Sequence, residues 1–290
     1  MDNLLFNHIY KNFIDGYHRI AIVYSKYTKV FFQTFSLFLN SKKIEVKLYL
    51  YNNQISLKNM EPFDFIIIGT PLSLEDNKYI FNFFKVLEER NVRTIIFEWP
   101  IECYSQKYKV LLNAIFRNAI MIDYESLKER NEKIYSYIKD AKTINIISNT
   151  GTDITFQSNY NIILESCSFK EGSVFQVPGG EVFLVPKIGS VNGKISIEKE
   201  LINVKNDYAD FSLFDPRWSN IPICEFGIGT NVNIKYTKQL SITEKAFRTC
   251  HFGFGNNKNF GGEYERDFHF DLVLNDIKIF INDKEVSLWK

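Results

Sequence analysis

The stretch HFGFGNNKNFGGEYERDFHFD, residues 251–271, holds two of the chain's four histidines. His269 and Asp271 are separated by one residue in an aromatic run. A strand sends alternate side chains to opposite faces, so the spacing puts both on one side, with Asp267, and puts Phe268, Phe270 and Leu272 on the other. His251 opens HFGFG and by the same parity shares a face with Gly253 and Gly255, against Phe252 and Phe254. Glu225 repeats the pattern in EFGIGTN, where Gly227 and Gly229 share its face. Glu181 follows a Pro-Gly-Gly turn in VPGGEVFLVP. Glycines beside such groups leave room for close approach to the backbone.

Singly, each group has an ordinary reading as a solvated carboxylate or a satisfied histidine. Jointly, Glu181, Glu225, His251, His269 and Asp271 all stand in apolar strands, where charge is disfavoured. Pairing or metal binding is the usual way to offset that cost. Carboxylate and imidazole donors suit Zn, Co, Mn or Fe rather than soft-metal chemistry. Five donors exceed what one tetrahedral zinc needs, and suit two ions about 3.5–4 Å apart, bridged by a carboxylate.

Other chemistries are weaker. GFGNNKNFGG lacks GxGxxG spacing, and the chain has no Walker A sequence. Cys250 adjoins His251 and Cys224 adjoins Glu225, but neighbours on a strand point apart. Neither forms a nucleophile–base pair, and both read as buried structural thiols. Cys103, Cys167, Cys224 and Cys250 contain no CxxC pair, against a zinc knuckle or redox dithiol. Arg217, Lys235, Arg248 and Arg266 offer cations for a substrate carboxylate, although a solvated role is the commoner one.

The elements that must position these residues change character along the chain. Strand patterns at 19–25, 45–52, 63–70 and 92–100 alternate with helical ones at 29–43, 75–91 and 108–118. This predicts βαβ units and a parallel sheet. A charged amphipathic helix at 124–141 leads into strands separated by turn signals, and only SITEKAFRTC (241–250), with a capping box from Ser241 to Glu244, reads as helical beyond it. The expected architecture is an α/β domain with a parallel sheet over 1–142, followed by a β-rich (α+β) metal-binding catalytic domain over 143–290.

A net charge of +1 gives no electrostatic argument for nucleic acid. The amino terminus lacks the basic start and unbroken apolar core of a signal peptide. No apolar run is long enough to span a bilayer. A cytoplasmic protein with free thiols is the expectation.

The segments GTDITF (151–156), VPGGEVFLVPKIGSVNGKI (177–195), CEFGIGTN (224–231), HFGFGNNKNFGG (251–262) and HFDLV (269–273), in this order, resemble the M29 family of metallo-aminopeptidases, also called aminopeptidase T or thermophilic aminopeptidases. The resemblance covers residues 120–290 and implies a pair of divalent cations, Zn, Co or Mn, on Glu181, Glu225, His251, His269 and Asp271. It implies a hydrolase, a metalloprotease that removes an amino-terminal residue from a small peptide or amide substrate with metal-activated water. Glu181 is then the expected general base, and a homodimer the expected assembly. Family members carry a tyrosine where this chain has Lys258; Tyr264 is the nearby candidate to replace it.

Two other functions stay open. A branch related to that family opens hydroxylated pyridine rings with two His and one Asp on Fe(II), and His251, His269 and Asp271 match that triad. Retention of Glu181 and Glu225 favours the two-metal hydrolase, since a facial triad does not need them. A catalytically altered homologue acting on a specialised peptide-like metabolite is the third reading, kept open by Lys258.

Overall fold

The computed structural model describes residues 3–51, 62–70, 92–99, 106–167, 174–236 and 241–289. The helix expected at 75–91 lies outside them. Two compact units divide the chain: residues 1–124 with 167–179, and residues 125–166 with 180–290.

The first unit is α/β. Strands β1 (Arg19–Tyr24), β2 (Glu45–Leu50), β3 (Phe65–Thr70) and β4 (Arg93–Glu98) form a parallel sheet that a later strand, β8 (Val174–Val177), completes in the order β2-β1-β3-β4-β8. The central strands are continuous apolar runs, as a parallel sheet covered on both faces requires; β3 reads FIIIGT and is buried from Phe65 to Gly69. The helix Lys29–Ser41 makes the crossover from β1 to β2 and buries Phe32, Phe35, Phe38 and Leu39, a stripe at helical spacing.

The second unit carries the helix Tyr124–Ile138 at its start and is otherwise antiparallel β. Leu127, Asn131, Ile134 and Ile138 form the helix's buried stripe. Its strands are β5 (Ile144–Ser148), β6 (Asp153–Phe156), β7 (Ser158–Glu165), β9 (Glu181–Pro186), β10 (Asn192–Ile197), β11 (Glu200–Lys205) and β12 (Tyr208–Ala209), then β13 (Ile221–Gly229), β14 (Cys250–Gly255), β15 (His269–Leu274), β16 (Ile277–Ile281) and β17 (Lys284–Val286). The run β7-β9-β13-β14-β15 is the part that matters for chemistry, and every pair in it is antiparallel.

One face of that run is the core. Val182, Leu184, Phe226, Ile228, Cys250, Phe252 and Phe254 are buried there, with Phe156 4.9 Å from Phe226 and Phe226 5.3 Å from Phe252, centroid to centroid. Each such phenylalanine contributes about 1.5–3 kcal/mol by leaving water. Alternation then forces Glu181, Glu225, His251 and Asp271 onto the other face.

The segment 241–250 departs from the helix its sequence predicts. It makes only a 3-10 turn, Ser241–Lys245, and has turned into β14 by Cys250. The reason is long-range pairing. Asn231 N–H donates to the Lys245 carbonyl at 2.9 Å, and Phe247 N–H donates to the Asn231 carbonyl at 3.0 Å. The backbone is stitched to the end of β13, and its own bonds are limited to turns such as Ala246 N–H to the Thr243 carbonyl at 3.0 Å. Asp267 precedes β15 and is exposed, outside the alternation expected for it.

Candidate metal centre

Register explains how four adjacent strands can present bulky polar groups on one face. Glu225 pairs with Gly253, which pairs in turn with Asp271; His251 pairs with Gly227, His269 with Gly255, and Glu181 with Gly229. Each polar residue therefore stands opposite a glycine. At Gly227 a Cβ would lie 2.0 Å from His251 Cε1, and at Gly253 it would lie 2.8 Å from Glu225 Cβ and 3.1 Å from Asp271 Oδ1. The glycines vacate the space into which the neighbouring side chains lean.

The donors converge in two groups that share Glu225: Glu181, Glu225 and His251, and Glu225, His269 and Asp271, each with donor atoms within 4.8 Å of one another. Glu225 lies between the imidazoles, with Oε1 3.1 Å from His251 Nε2 and Oε2 3.7 Å from His269 Nε2. Asp271 Oδ1 is 3.3 Å from His269 Nε2, and Glu181 Oε2 is 3.5 Å from His251 Nε2. The His269 Nδ1–H donates to the Asn256 carbonyl at 2.8 Å, which fixes the tautomer and turns Nε2 toward the carboxylates.

These contacts perturb every group. Burial alone would lower His251, but the Glu225 contact and the Asp271 and Glu181 charges outweigh it and push the imidazole up to about 10. His269 follows the same logic: burial opposes the shift, while Asp271, Cys224 and Glu225 drive it to about 12. Burial raises Glu225, and the Asp271 charge adds to the effect against the pull of both histidines. Asp271 is held well below the usual carboxylate range, because His269 and His251 overcome its desolvation.

Such a site demands positive charge, and without a metal its own imidazoles supply it. Glu181 Oε2, Asp271 Oδ1 and His251 Nδ1 are buried and make no hydrogen bond. The two unsatisfied carboxylate oxygens, beside converging imidazoles, fit a hard or borderline divalent cation, and the donor set suits Fe, Mn, Co or Zn.

Beyond the sequence candidates, the structure brings in Lys245. Its side chain is 2% exposed, with Nζ 2.5 Å from Glu165 Oε2, bonded to Glu181 Oε1, and 3.5 Å from Glu244 Oε1. The sequence signal for it was faint: a lysine between Ile242 and Ala246, inside a segment whose spacing mimics a helix. Cys224 is also closer to the site than strict alternation allows. A register shift between Ile223 and Glu225 marks a bulge in β13, and Cys224 Sγ comes within 3.7 Å of His269 Nδ1 while Glu225 faces Nε2.

Tyr264 and Lys258 fall in neither donor group. Tyr264 OH donates to Asp207 Oδ2 at 2.5 Å, an acid that also accepts from Val191 N–H at 2.8 Å. Lys258 is exposed, and Arg217 is bound at the surface to Asp215 at 2.6 Å.

The comparisons bear on what such a centre does. The model of a family described as 2,5-dihydroxypyridine 5,6-dioxygenase (NicX) matches residues 114–209, a stretch that includes Glu181. A solved structure described as 2,5-dihydroxypyridine dioxygenase from Pseudomonas putida KT2440 superposes with a TM-score of 0.71 at 16% identity, covering 99% of this chain and 95% of that one. No curated protein matches the chain in sequence. No helix among the described residues is long and apolar enough to cross a membrane.

These findings overturn the M29 resemblance, and with it the aminopeptidase, hydrolase and metalloprotease readings. The physical reason lies in the motifs themselves. CEFGIGTN, HFGFG and HFDLV encode strands that alternate polar donors with core aromatics and clear space with glycines. They specify converging carboxylates and imidazoles on one face of a sheet and leave the reaction open. This chain shares the fold of a dioxygenase, with its polar groups gathered on one face of β9, β13, β14 and β15.

Proposed function

We propose that the protein is a metal-dependent ring-cleaving dioxygenase whose centre takes one ferrous ion and whose substrate is a hydroxylated pyridine-type ring. The carrying observation is the convergence of His251 and His269 with Asp271 and Glu225 on one face of a sheet, in a chain that shares its fold with a protein described as such an enzyme. His251, His269 and Asp271 supply the two-histidine, one-carboxylate set that leaves positions open for oxygen chemistry. Glu225, placed between the imidazoles, completes the cage. Two Zn, Co or Mn ions spread over the two donor groups are the competing occupancy.

When bound, ferrous iron would supply the one-electron chemistry that lets O2 react with a closed-shell ring. The net reaction breaks one ring C–C bond and places both oxygen atoms in the product, so it needs no outside reductant. The chain's own residues orient and insulate. The Asn256 carbonyl holds His269 by Nδ1, and Phe226 and Phe252 seal the opposite face of the sheet. Glu225, raised by burial, is the carboxylate that would accept a proton from a ring hydroxyl.

The test is anaerobic reconstitution with Fe(II), followed by 2,5-dihydroxypyridine and related hydroxypyridines under labelled O2. Ring opening with both labelled atoms in the product is expected. Iron-loaded protein that consumes no oxygen with any of these rings would refute the reading.

A further inference from the structure

Lys245 is the buried charge that the chemistry above does not use. It projects from the turn Ser241–Lys245 into a ring of three carboxylates, Glu165 on β7, Glu181 on β9 and its neighbour Glu244. The three contacts make Lys245 and its acids one buried ion-pair network, with the ammonium shared among them.

Glu181 is divided between two neighbours. Oε1 is bonded to Lys245, while Oε2 makes no hydrogen bond and faces His251 Nε2 at 3.5 Å. A carboxylate with one oxygen on each of two cations is the arrangement that joins paired metal ions. Here both partners belong to the chain: the Lys245 ammonium on Oε1 and the His251 imidazole facing Oε2. Buried ion pairs are seldom more stabilising than apolar packing of the same volume, so the fold alone does not call for a lysine at this point.

We propose that Lys245 is the second cation of the centre: acting through Glu181, its ammonium supplies the charge that a second metal ion would supply, and so limits the site to one ion. The proposal rests on the metal-centre reading above and makes Lys245 a positioning residue. It also accounts for five metal-type donors in a site that takes a single ion. Glu181 answers to the lysine, and Glu225, His251, His269 and Asp271 remain for the metal. A second divalent ion beside Glu181 Oε2 would face the ammonium across one carboxylate, and repulsion in a buried site is weakly screened.

The experiment counts Mn(II) per chain by equilibrium dialysis and follows its EPR signal, in the wild type, Lys245→Met and Lys245→Arg. We expect one ion with an uncoupled spectrum in the wild type and in Lys245→Arg. In Lys245→Met we expect two ions with a spin-coupled spectrum, and a larger thermal shift on adding Mn(II). A wild type that binds two coupled ions overturns the proposal, and so does a folded Lys245→Met that still binds one. If Lys245→Met does not fold, Lys245→Gln takes its place, and the same two outcomes, two coupled ions or one, decide. A wild type that binds no ion, or two, removes the one-ion centre and this proposal with it, whereas a folded Lys245→Met that still binds one ion removes only the role of Lys245.

Discussion

Glu225 and His251 stand on neighbouring antiparallel strands with Oε1 and Nε2 3.1 Å apart, and the residue paired with His251 is Gly227. The contact exists because position 227 has no side chain: a Cβ there would lie 2.0 Å from His251 Cε1. Gly227→Ala must push the imidazole off Glu225. Overpacking of this kind typically costs about 1–3 kcal/mol. We expect a folded protein with lowered Tm and at least tenfold weaker iron binding, read by calorimetry and metal titration. Unchanged iron affinity would show that His251 is not held as described.

His269→Ala removes one imidazole and leaves Asp271 without its closest cation. His269 lies near the beginning of β15, partly accessible, while Phe270 and Leu272 on the other face keep the strand anchored in the core. The expected outcome is loss of bound iron with little change in far-ultraviolet circular dichroism. Full iron content in the purified variant would remove His269 from the ligand set.

The pH dependence changes sign with metal. In metal-free protein, His251 rises from 6.5 to about 10 on folding, so its contribution to stability is fully present below pH 6.5 and is lost as pH climbs toward 10. Metal-free protein should therefore lose Tm across that window. A bound ion needs the neutral imidazoles, so iron affinity should move the other way, rising with pH, with proton release on binding. Calorimetric titration in buffers of different ionisation enthalpy measures that release. Binding without proton uptake by the buffer would contradict protonated imidazoles in the metal-free protein.

The thiols should be inert. Cys250 lies in the core face of β14 and burial pushes it far up; Cys224 is raised by burial as well, against the pull of His269. Thiolate is the reactive form. Iodoacetamide should leave both unmodified in folded protein at neutral pH and label both after denaturation, as mass spectrometry would show. Rapid labelling of Cys250 in the native state would mean that this strand opens.

Much of the site could be read from alternation. The period of two in DFHFDLVL, HFGFG and EFGIGTN separates donors from core phenylalanines without any knowledge of pairing, and the structure brings Glu181, Glu225, His251, His269 and Asp271 together. The parallel sheet of the first unit was equally legible in its apolar runs. Three things were not. Lys245 is buried by acids from three separate places in the chain, and such a ring leaves no local pattern. The bulge that turns Cys224 toward His269 breaks the very alternation on which the reading depends. The strand Val174–Val177 joins a parallel sheet far from it in sequence, a matter of topology rather than periodicity. The ring-opening dioxygenase is one of the sequence's two alternatives to the hydrolase, and the comparisons favour it; the hydrolase ranks first on sequence only because Glu181 and Glu225 are retained.

Anomalous diffraction at the iron edge, from crystals of protein loaded with Fe(II) under anaerobic conditions, tests the metal centre most directly. We predict a single peak within bonding distance of His251, His269 and Asp271 and beside Glu225. A fully loaded protein with its iron anywhere else, or with these side chains ordered and turned away from the peak, would contradict it.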